Sequence, residues 1–513
     1  MALAIRNLTP NHFTLKHIER FSDPNTQQSK ARIFSFGTGT PTTPAPSIDK
    51  LNEHTKTFNR EDLNITLSPF ESVTLNPPPG SPDSVPNQTL RLTLTTSNPE
   101  ETHRIDTNPS YTQKSSLPCT PLTPSPSTHL TAIFHPPNPT ISIPNLTLHT
   151  PSPSPQGWMT PLPSTLPLSS LSIPGTHNSP THYRALPSVR CQTHPISKQL
   201  THGIRFLDIR LQPVHATDAS KKDLYLVHGA FPISLTGPKY FDPILRECYA
   251  FLDRNPGETV LISLKREGTG GATDEHFGTI LEEHYIRPNR EKWWVGNRVP
   301  LLGEVRGKLV LVRRYEIAPS SSSSLPRISS ESSASSAELD TGLNATSWPY
   351  NHPSSLLPTT PLHIQDYCEV LAPSSIAQKL SHSIAHLSLA SSSISPIPGI
   401  NTDATNPVPP APFFLNFLSG SNFWSVACWP EKIAKIVNRG VEEWICRAHH
   451  LEEGEEGLVR GKKEGDGGTG VVVMDCVGEG GDWDLVDLVI GMNMGVLGRM
   501  ERDAEGGRNI NGS

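Results

Sequence analysis

The chain has 513 residues, 43 Lys and Arg against 49 Asp and Glu, and a formal charge of −6. At roughly 150 residues per domain this length carries two or three domains, and the small acidic balance argues against a nucleic-acid binder, which needs a basic face. Apolar residues make up only 35%, beside 52 prolines and 36 glycines, so much of the chain is left to loops.

Seven cysteines (Cys119, Cys191, Cys248, Cys368, Cys428, Cys446 and Cys476) are scattered with no Cys-x-x-Cys. That spacing rules out a zinc ribbon, and the odd number argues against a disulfide framework and for a reducing compartment. No stretch approaches the ~18 apolar residues of a transmembrane helix. The opening Met-Ala-Leu-Ala-Ile-Arg lacks the unbroken apolar run of a signal peptide. The expectation is a cytoplasmic protein, or one peripheral to a membrane.

Residues 1–150 alternate apolar and polar over short runs, most clearly in Leu90-Arg91-Leu92-Thr93-Leu94. Similar runs are Leu3–Leu8, Phe13–Phe21, Ile33–Phe36, Leu63–Leu67, Val73–Leu75 and Ala132–Phe134. Short strands with turn signals between them predict an all-β, sandwich-like domain. Residues 107–128 read as linker. Residues 151–167, rich in Pro, Ser and Thr, read as the link to a second domain over 168–500. There, strands are expected at Leu168–Ile173, Ile204–Leu211, Leu224–Val227, Val260–Leu264, Leu309–Val312, Leu362–Ile364, Phe413–Phe417 and Val471–Met474. Helices are expected at Tyr240–Arg254, Asp274–Tyr285, Ser374–Leu387, Pro430–Ala448 and Trp483–Leu497. Eight apolar strands alternating with helices predict an α/β fold, a distorted (β/α)8 TIM-type barrel, with an open doubly wound sheet as the competing architecture. Residues 319–358, 390–412 and 452–470 read as disordered insertions.

Barrels gather chemistry at the C-terminal ends of their strands. Here those ends carry His177-Asn178, Asp208 and Arg210, His228, Lys265-Arg266-Glu267, Arg313-Arg314, Gln365-Asp366 and Asp475. Singly, each has a plain reading as a solvated charge or an internal ion pair. Together, two histidines, several cations and several carboxylates at one mouth are costly unless they meet a charged ligand. Cations beside paired histidines suit a phosphate ester.

In these segments the sequence resembles the X domain of phosphatidylinositol-specific phospholipase C, most closely the metal-independent bacterial type and fungal X-domain proteins with an N-terminal extension. The matching runs are Leu171–Ser179, Gly203–Arg210, Leu226–His228, Asn255–Lys265, Gly307–Tyr315, Ile364–Asp366, Phe414–Phe417 and Val473–Asp475, in the family's order. The resemblance implies cleavage of a phosphatidylinositol-type lipid to diacylglycerol and an inositol 1,2-cyclic phosphate. It implies His177 as general base, oriented by Asp475, and His228 as general acid. Arg210 would lie against the phosphate, fixed by Asp208, while Lys265, Arg314 and Asp366 grip the inositol ring. Arg210 stands where calcium-dependent relatives place carboxylates, so no metal and no other cofactor is expected. The implied partners are an inositol phospholipid and a membrane surface touched peripherally, with no nucleic acid.

Two positions depart from the family pattern. Asn178 replaces an aspartate that supports the acid; an amide still holds an imidazole by a hydrogen bond but adds no charge. Cys368 replaces the aromatic two residues beyond Asp366, which leaves Tyr367 as the aromatic assigned to substrate at that strand end. The alternatives are a weak or inactive headgroup-binding pseudoenzyme and a metal-dependent phosphodiesterase on the same barrel. Asp208-Ile209-Arg210 opposes the second, because a cation stands where its second carboxylate belongs.

Overall fold

A computed structural model of the chain describes residues 2–22, 59–76, 88–97, 100–107, 116–317, 341–453 and 459–510. The predicted strand Ile33–Phe36 lies outside them. The chain divides into two compact units. One comprises Met1–Pro153, Glu442–Gly467 and Gly491–Glu501; the other comprises Ser154–Val441, Gly468–Ile490 and Arg502–Ser513.

In the first unit the longer strands are β1 (Leu3–Leu8), β2 (Phe13–Ser22), β3 (Asn59–Leu67), β4 (Ser72–Leu75), β5 (Gln88–Thr96), β6 (Thr102–Thr107), β7 (Thr131–His135) and β8 (Asn145–His149). One sheet pairs β1 with β4 and β8, and β8 with β7. The other runs β3-β2-β5-β6, with a register shift between Leu15 and His17 of β2. Leucines 90, 92 and 94 share one face of β5, and that face joins Phe13, Ile18, Phe134 and Leu146 in one apolar core. Arg91, between two of those leucines, closes on the Asp106 carboxylate at 2.7 and 2.8 Å.

The second unit carries β9 (Ile173–Thr176), β10 (Phe206–Pro213), β11 (Leu224–His228), β12 (Val260–Arg266), β13 (Leu309–Arg314), β14 (His352–Leu356), β15 (Leu362–Asp366), β16 (Phe413–Phe417) and β17 (Val471–Met474). Six of the eight expected segments pair in parallel, joined by β9, in the order β13-β12-β10-β9-β17-β16-β15. The expected first strand Leu168–Ile173 is instead a 3-10 turn at Leu168–Ser170, and the strand begins at Ile173. β16 and β17 are buried along their whole length, as strands covered on both faces must be. The eighth, β11, instead folds back antiparallel onto β10. Only residues 214–223 separate the two, which is enough for a hairpin and too short for a helical crossover. Helix α1 (Phe241–Arg254) follows, burying Phe241, Ile244, Leu245, Cys248, Phe251 and Leu252 on one face.

Several segments differ from their sequence reading. Within 452–470, Val459–Arg460 pairs with β4, and Asp466 and Thr469 are buried. Within 107–128, Leu117–Pro118 and Thr120–Pro121 pair into the sheets around buried Cys119. Residues 155–166 are packed structure: Trp158, Met159 and Leu166 are buried, and Glu258 accepts the Met159 and Thr160 N–H groups while holding buried Arg205. Residues 341–358, expected to be disordered, contribute β14 and buried Leu343, Ala345 and Leu357. Of residues 390–412, the first three end a helix (Ser375–Ser392), and Ile397 is fully buried. In these last three a few apolar anchors within a Ser/Pro-rich stretch outweigh its loop-like composition. Helix Trp483–Leu497 is replaced by two helices, Asp484–Gly491 and Met494–Ile510.

Candidate functional site

Strand pairing brings the predicted residues to one place. Gly175 lets β9 lie close to β10: a Cβ there would stand 2.8 Å from the Phe206 Cβ. The chain then turns at Asn178, whose φ of 40° lies in the left-handed region that asparagine tolerates. Gln192 pins the turn, its Nε2 donating to the carbonyls of His177 and Met474 at 2.8 and 2.9 Å. His177 Nδ1 and Asp475 Oδ1, one residue beyond β9 and β17 respectively, meet at 2.8 Å. With Asp475 almost fully buried, this pairing leaves Nε2 of His177 for chemistry.

Across from it stands His228, its ring centroid 5.6 Å from that of His177 and nearly perpendicular to it. His228 Nδ1 lies 2.9 Å from the Val189 carbonyl and 3.6 Å from the Cys191 thiol. A carbonyl only accepts, so Nδ1 carries the proton and Nε2 is the free nitrogen. Burial, then Arg210 and His177, push His228 down to about 3. Asn178 does not hold this imidazole. Its backbone N–H goes to Asp208 Oδ2 at 3.1 Å, while both side-chain polar atoms are buried without a partner.

The third group is an ion network. Arg210 donates from Nε to Asp208 Oδ2 at 3.1 Å and from Nη1 to Glu267 Oε1 at 3.1 Å. Glu267 also accepts from Lys265 Nζ at 2.7 Å and from the Gly229 N–H at 2.9 Å. Arg314 Nη1 reaches Asp208 Oδ1 at 3.4 Å. Burial raises Asp208, but Arg210 and then Arg314 more than offset it and hold the carboxyl at about 2. Burial lowers Arg210, and Glu267 with Asp208 overcomes it, so this guanidinium is held more firmly charged than usual. Glu267 is the residue the sequence reading noted at a strand end but assigned no part. Its alternation with Lys265 along β12 was the available signal.

His177, Arg210, His228, Lys265, Glu267 and Arg314 line a cavity of about 360 Å³, which also reaches Trp348, Tyr350, Asp366, Cys368, Glu369 and Ser421. Trp348 donates from Nε1 to Asp366 Oδ2 at 3.0 Å, and its ring lies 3.8 Å beneath the Arg314 guanidinium. Asp366 at the end of β15 and Arg314 at the end of β13 thus share one wall although five strands separate theirs, so the sheet curls on itself. Tyr367 is outside the cavity lining; its hydroxyl donates to Gln378 Oε1 at 3.3 Å and its ring packs on His382. Successive strand residues face opposite ways, so Asp366 facing in turns Tyr367 out. The aromatic wall comes instead from Trp348 and Tyr350, inside the stretch read as disordered.

Residues 164–315 match the family model described as phosphatidylinositol-specific phospholipase C, X domain. Over these residues the chain is similar to the X domain of this family. It is 31% identical over 166 residues to a 1-phosphatidylinositol phosphodiesterase of Listeria monocytogenes, covering 30% of this chain and 47% of the relative. It is 28% identical over 172 residues to the protein of the same name from Staphylococcus aureus (strain Newman), covering 32% and 52%. The chain therefore spans about half the length of the curated relatives it matches. Among solved structures, a phosphatidylinositol-specific phospholipase C from Staphylococcus aureus aligns with a TM-score of 0.47 and 19% identity over 66% of this chain and 98% of that one. The one from Listeria monocytogenes aligns with a TM-score of 0.41 and 21% identity over 66% and 99%.

The second unit offers one constellation of metal-type ligands among the described residues: donor atoms of His177, Cys191 and Asp475 lie within 4.8 Å of one another. It fits a metal poorly. His177 Nδ1 and Asp475 are engaged with each other, and burial, reinforced by Asp475, holds the Cys191 thiol well above its ordinary range.

Proposed function

We propose that this cavity cleaves phosphatidylinositol-type lipids to diacylglycerol and inositol 1,2-cyclic phosphate. The observation that carries the reading is the pair of imidazoles at 5.6 Å, one backed by Asp475, across a cavity walled by Arg210. His177 Nε2 takes the proton of the inositol 2-hydroxyl as its oxygen attacks phosphorus, and Asp475 stabilises the imidazolium. The bond from phosphorus to the glycerol oxygen breaks, and His228 Nε2 gives that oxygen a proton. Because the attacking hydroxyl belongs to the substrate, the step gains the proximity advantage of an internal nucleophile. Arg210, held by Asp208 and Glu267, neutralises the phosphate oxygens, and no added metal is required for that charge. Lys265, Arg314 and Asp366 contact the ring hydroxyls, with Trp348 as the apolar face against the ring.

His228 is neutral in the free protein at physiological pH, so it acts as an acid only once the phosphodiester anion occupies the cavity. A negative charge beside it opposes the effect of Arg210 and restores its proton. In this reading the site is a distorted (β/α)8-type barrel in which β11 has left the parallel order. The sandwich-like unit is Met1–Pro153 joined by Glu442–Gly467 and Gly491–Glu501.

The peripheral membrane contact is assigned to the mouth. Phe231 and Phe423 stack there at 5.5 Å, and Trp424, 90% exposed, extends beyond them. Gly229 and Ser421, two residues from each phenylalanine, line the cavity. No helix among the described residues is long and apolar enough to cross a membrane.

The test is incubation of the protein with phosphatidylinositol vesicles in EDTA, followed by phosphorus NMR. A cyclic phosphodiester signal is expected. Turnover only after metal is restored would favour a metal-dependent phosphodiesterase. Headgroup binding without turnover would favour the pseudoenzyme, which the unpartnered Asn178 amide and the neutral His228 motivate.

A further inference from the structure

Beneath the cavity floor, helix α2 (Ser375–Ser392) buries Lys379 completely. Its ammonium donates to Gln365 Oε1 at 3.1 Å and to the Phe417 carbonyl, at the ends of β15 and β16. Both partners are uncharged, and both already have another donor. Gln365 Oε1 accepts the Tyr367 N–H at 2.8 Å, and the Phe417 carbonyl accepts Gln365 Nε2 at 2.9 Å. Removing the lysine would orphan neither acceptor. A buried ammonium without a carboxylate in contact is costly, and an apolar side chain of its length would serve the fold better.

The cation sits behind the cavity lining: its acceptor Gln365 directly precedes Asp366, which lines the cavity. Asp366, Cys368 and Asp475 all act on it from the site side, and His382 and His386 face it on its own helix. Phe417, whose carbonyl accepts from Lys379, packs its ring edge-on against the lining residues His177 at 6.3 Å and Trp348 at 5.2 Å.

We propose that Lys379 is an electrostatic positioning residue of the reaction, a fixed positive charge under the floor that stabilises the negative charge of Asp475 behind His177 and of Asp366 against the ring. The inference rests on reading the cavity as the phosphatidylinositol-cleaving site. Burial, opposed by Asp366, Cys368 and Asp475, brings the Lys379 ammonium down to about 8. Its charge is therefore lost within a measurable range. Above pH 8 the folded chain sheds this proton before the unfolded chain does, so deprotonation favours folding while activity declines. A lysine kept only for stability would show no such opposition.

The experiment compares wild type with Lys379→Met. The variant should melt at the same temperature or higher, while kcat/KM on phosphatidylinositol falls about tenfold and the alkaline limb of the rate profile near pH 8 disappears. A second readout needs no turnover. Cys368 lines the cavity and is the one cysteine of the seven that is not buried. Burial and Asp366 raise its thiol to about 11, and Lys379 opposes them. Its alkylation by iodoacetamide at pH 7.5 should slow about threefold or more in Lys379→Met. Unchanged alkylation, or a lower melting temperature with an unaltered pH profile, would overturn the proposal. If wild type fails to turn over phosphatidylinositol, the functional reading falls, while the alkylation arm still judges the charge. Should the Met variant not fold, Lys379→Gln carries the same comparison.

Discussion

The two walls of the cavity are built on different terms. The wall of His177, Arg210, Lys265, Glu267 and Arg314 stands on neighbouring parallel strands or directly at their ends, and its charges are paired before any ligand arrives. The remaining lining of Trp348, Tyr350, Cys368 and Glu369 comes from connecting segments. It is largely aromatic, and Glu369 is held by Tyr350 rather than by a cation. The strand-borne wall is preorganised for charge, so losing one member leaves others buried and unpaired. The loop-borne wall selects shape, and its losses should be milder and confined to substrate affinity.

The largest expected effect breaks the first wall. His177→Ala should lower kcat on phosphatidylinositol by about 10³-fold or more with little change in KM, measured by release of water-soluble inositol phosphate. Next, Arg210→Lys should cost about 10²-fold, because an ammonium cannot serve Asp208, Glu267 and a phosphate oxygen in one plane. A variant retaining more than a third of the wild-type rate would remove Arg210 from the reaction. The second wall is tested by Trp348→Ala, expected to raise KM about tenfold with kcat nearly kept, against Tyr367→Ala, expected to change neither.

A smaller effect concerns stability. His228 sits near 3 in the folded chain and near its ordinary 6.5 when unfolded. Between those values the unfolded chain binds the proton, so stability rises with pH and is lost as pH falls from 6.5 towards 3. Urea midpoints at pH 5 and 7 should differ less in His228→Phe than in wild type, by about 1 kcal/mol for this partly exposed ring.

The same contrast explains what was legible in the sequence. Strand ends were readable because a charge terminating an apolar run is conspicuous, and the period of two then assigns its face. Asp208, Arg210 and Asp475 were found this way, and Glu267 was within reach. Trp348 was not, since a single tryptophan in a Ser/Pro-rich stretch has no periodicity to place it. Tyr367 was assigned to substrate although the parity that turns Asp366 inward turns its neighbour outward. Asn178 was given the imidazole as partner because the pattern of types was visible while its left-handed turn was not. Lys379 was invisible for another reason: on an amphipathic helix a lysine is ordinarily solvated, and only the packed structure reveals the cation inside. Strand β11 misled for want of a crossover length, which the ten residues 214–223 would have supplied.

The division of labour between the two imidazoles is the central claim, and leaving-group rescue tests it most directly. On the p-nitrophenyl ester of inositol 1-phosphate the departing oxygen needs no proton. His228→Ala should then approach wild-type turnover while His177→Ala remains inactive. Equal impairment of both variants on that ester, or rescue of His177→Ala instead, would contradict the assignment of base and acid.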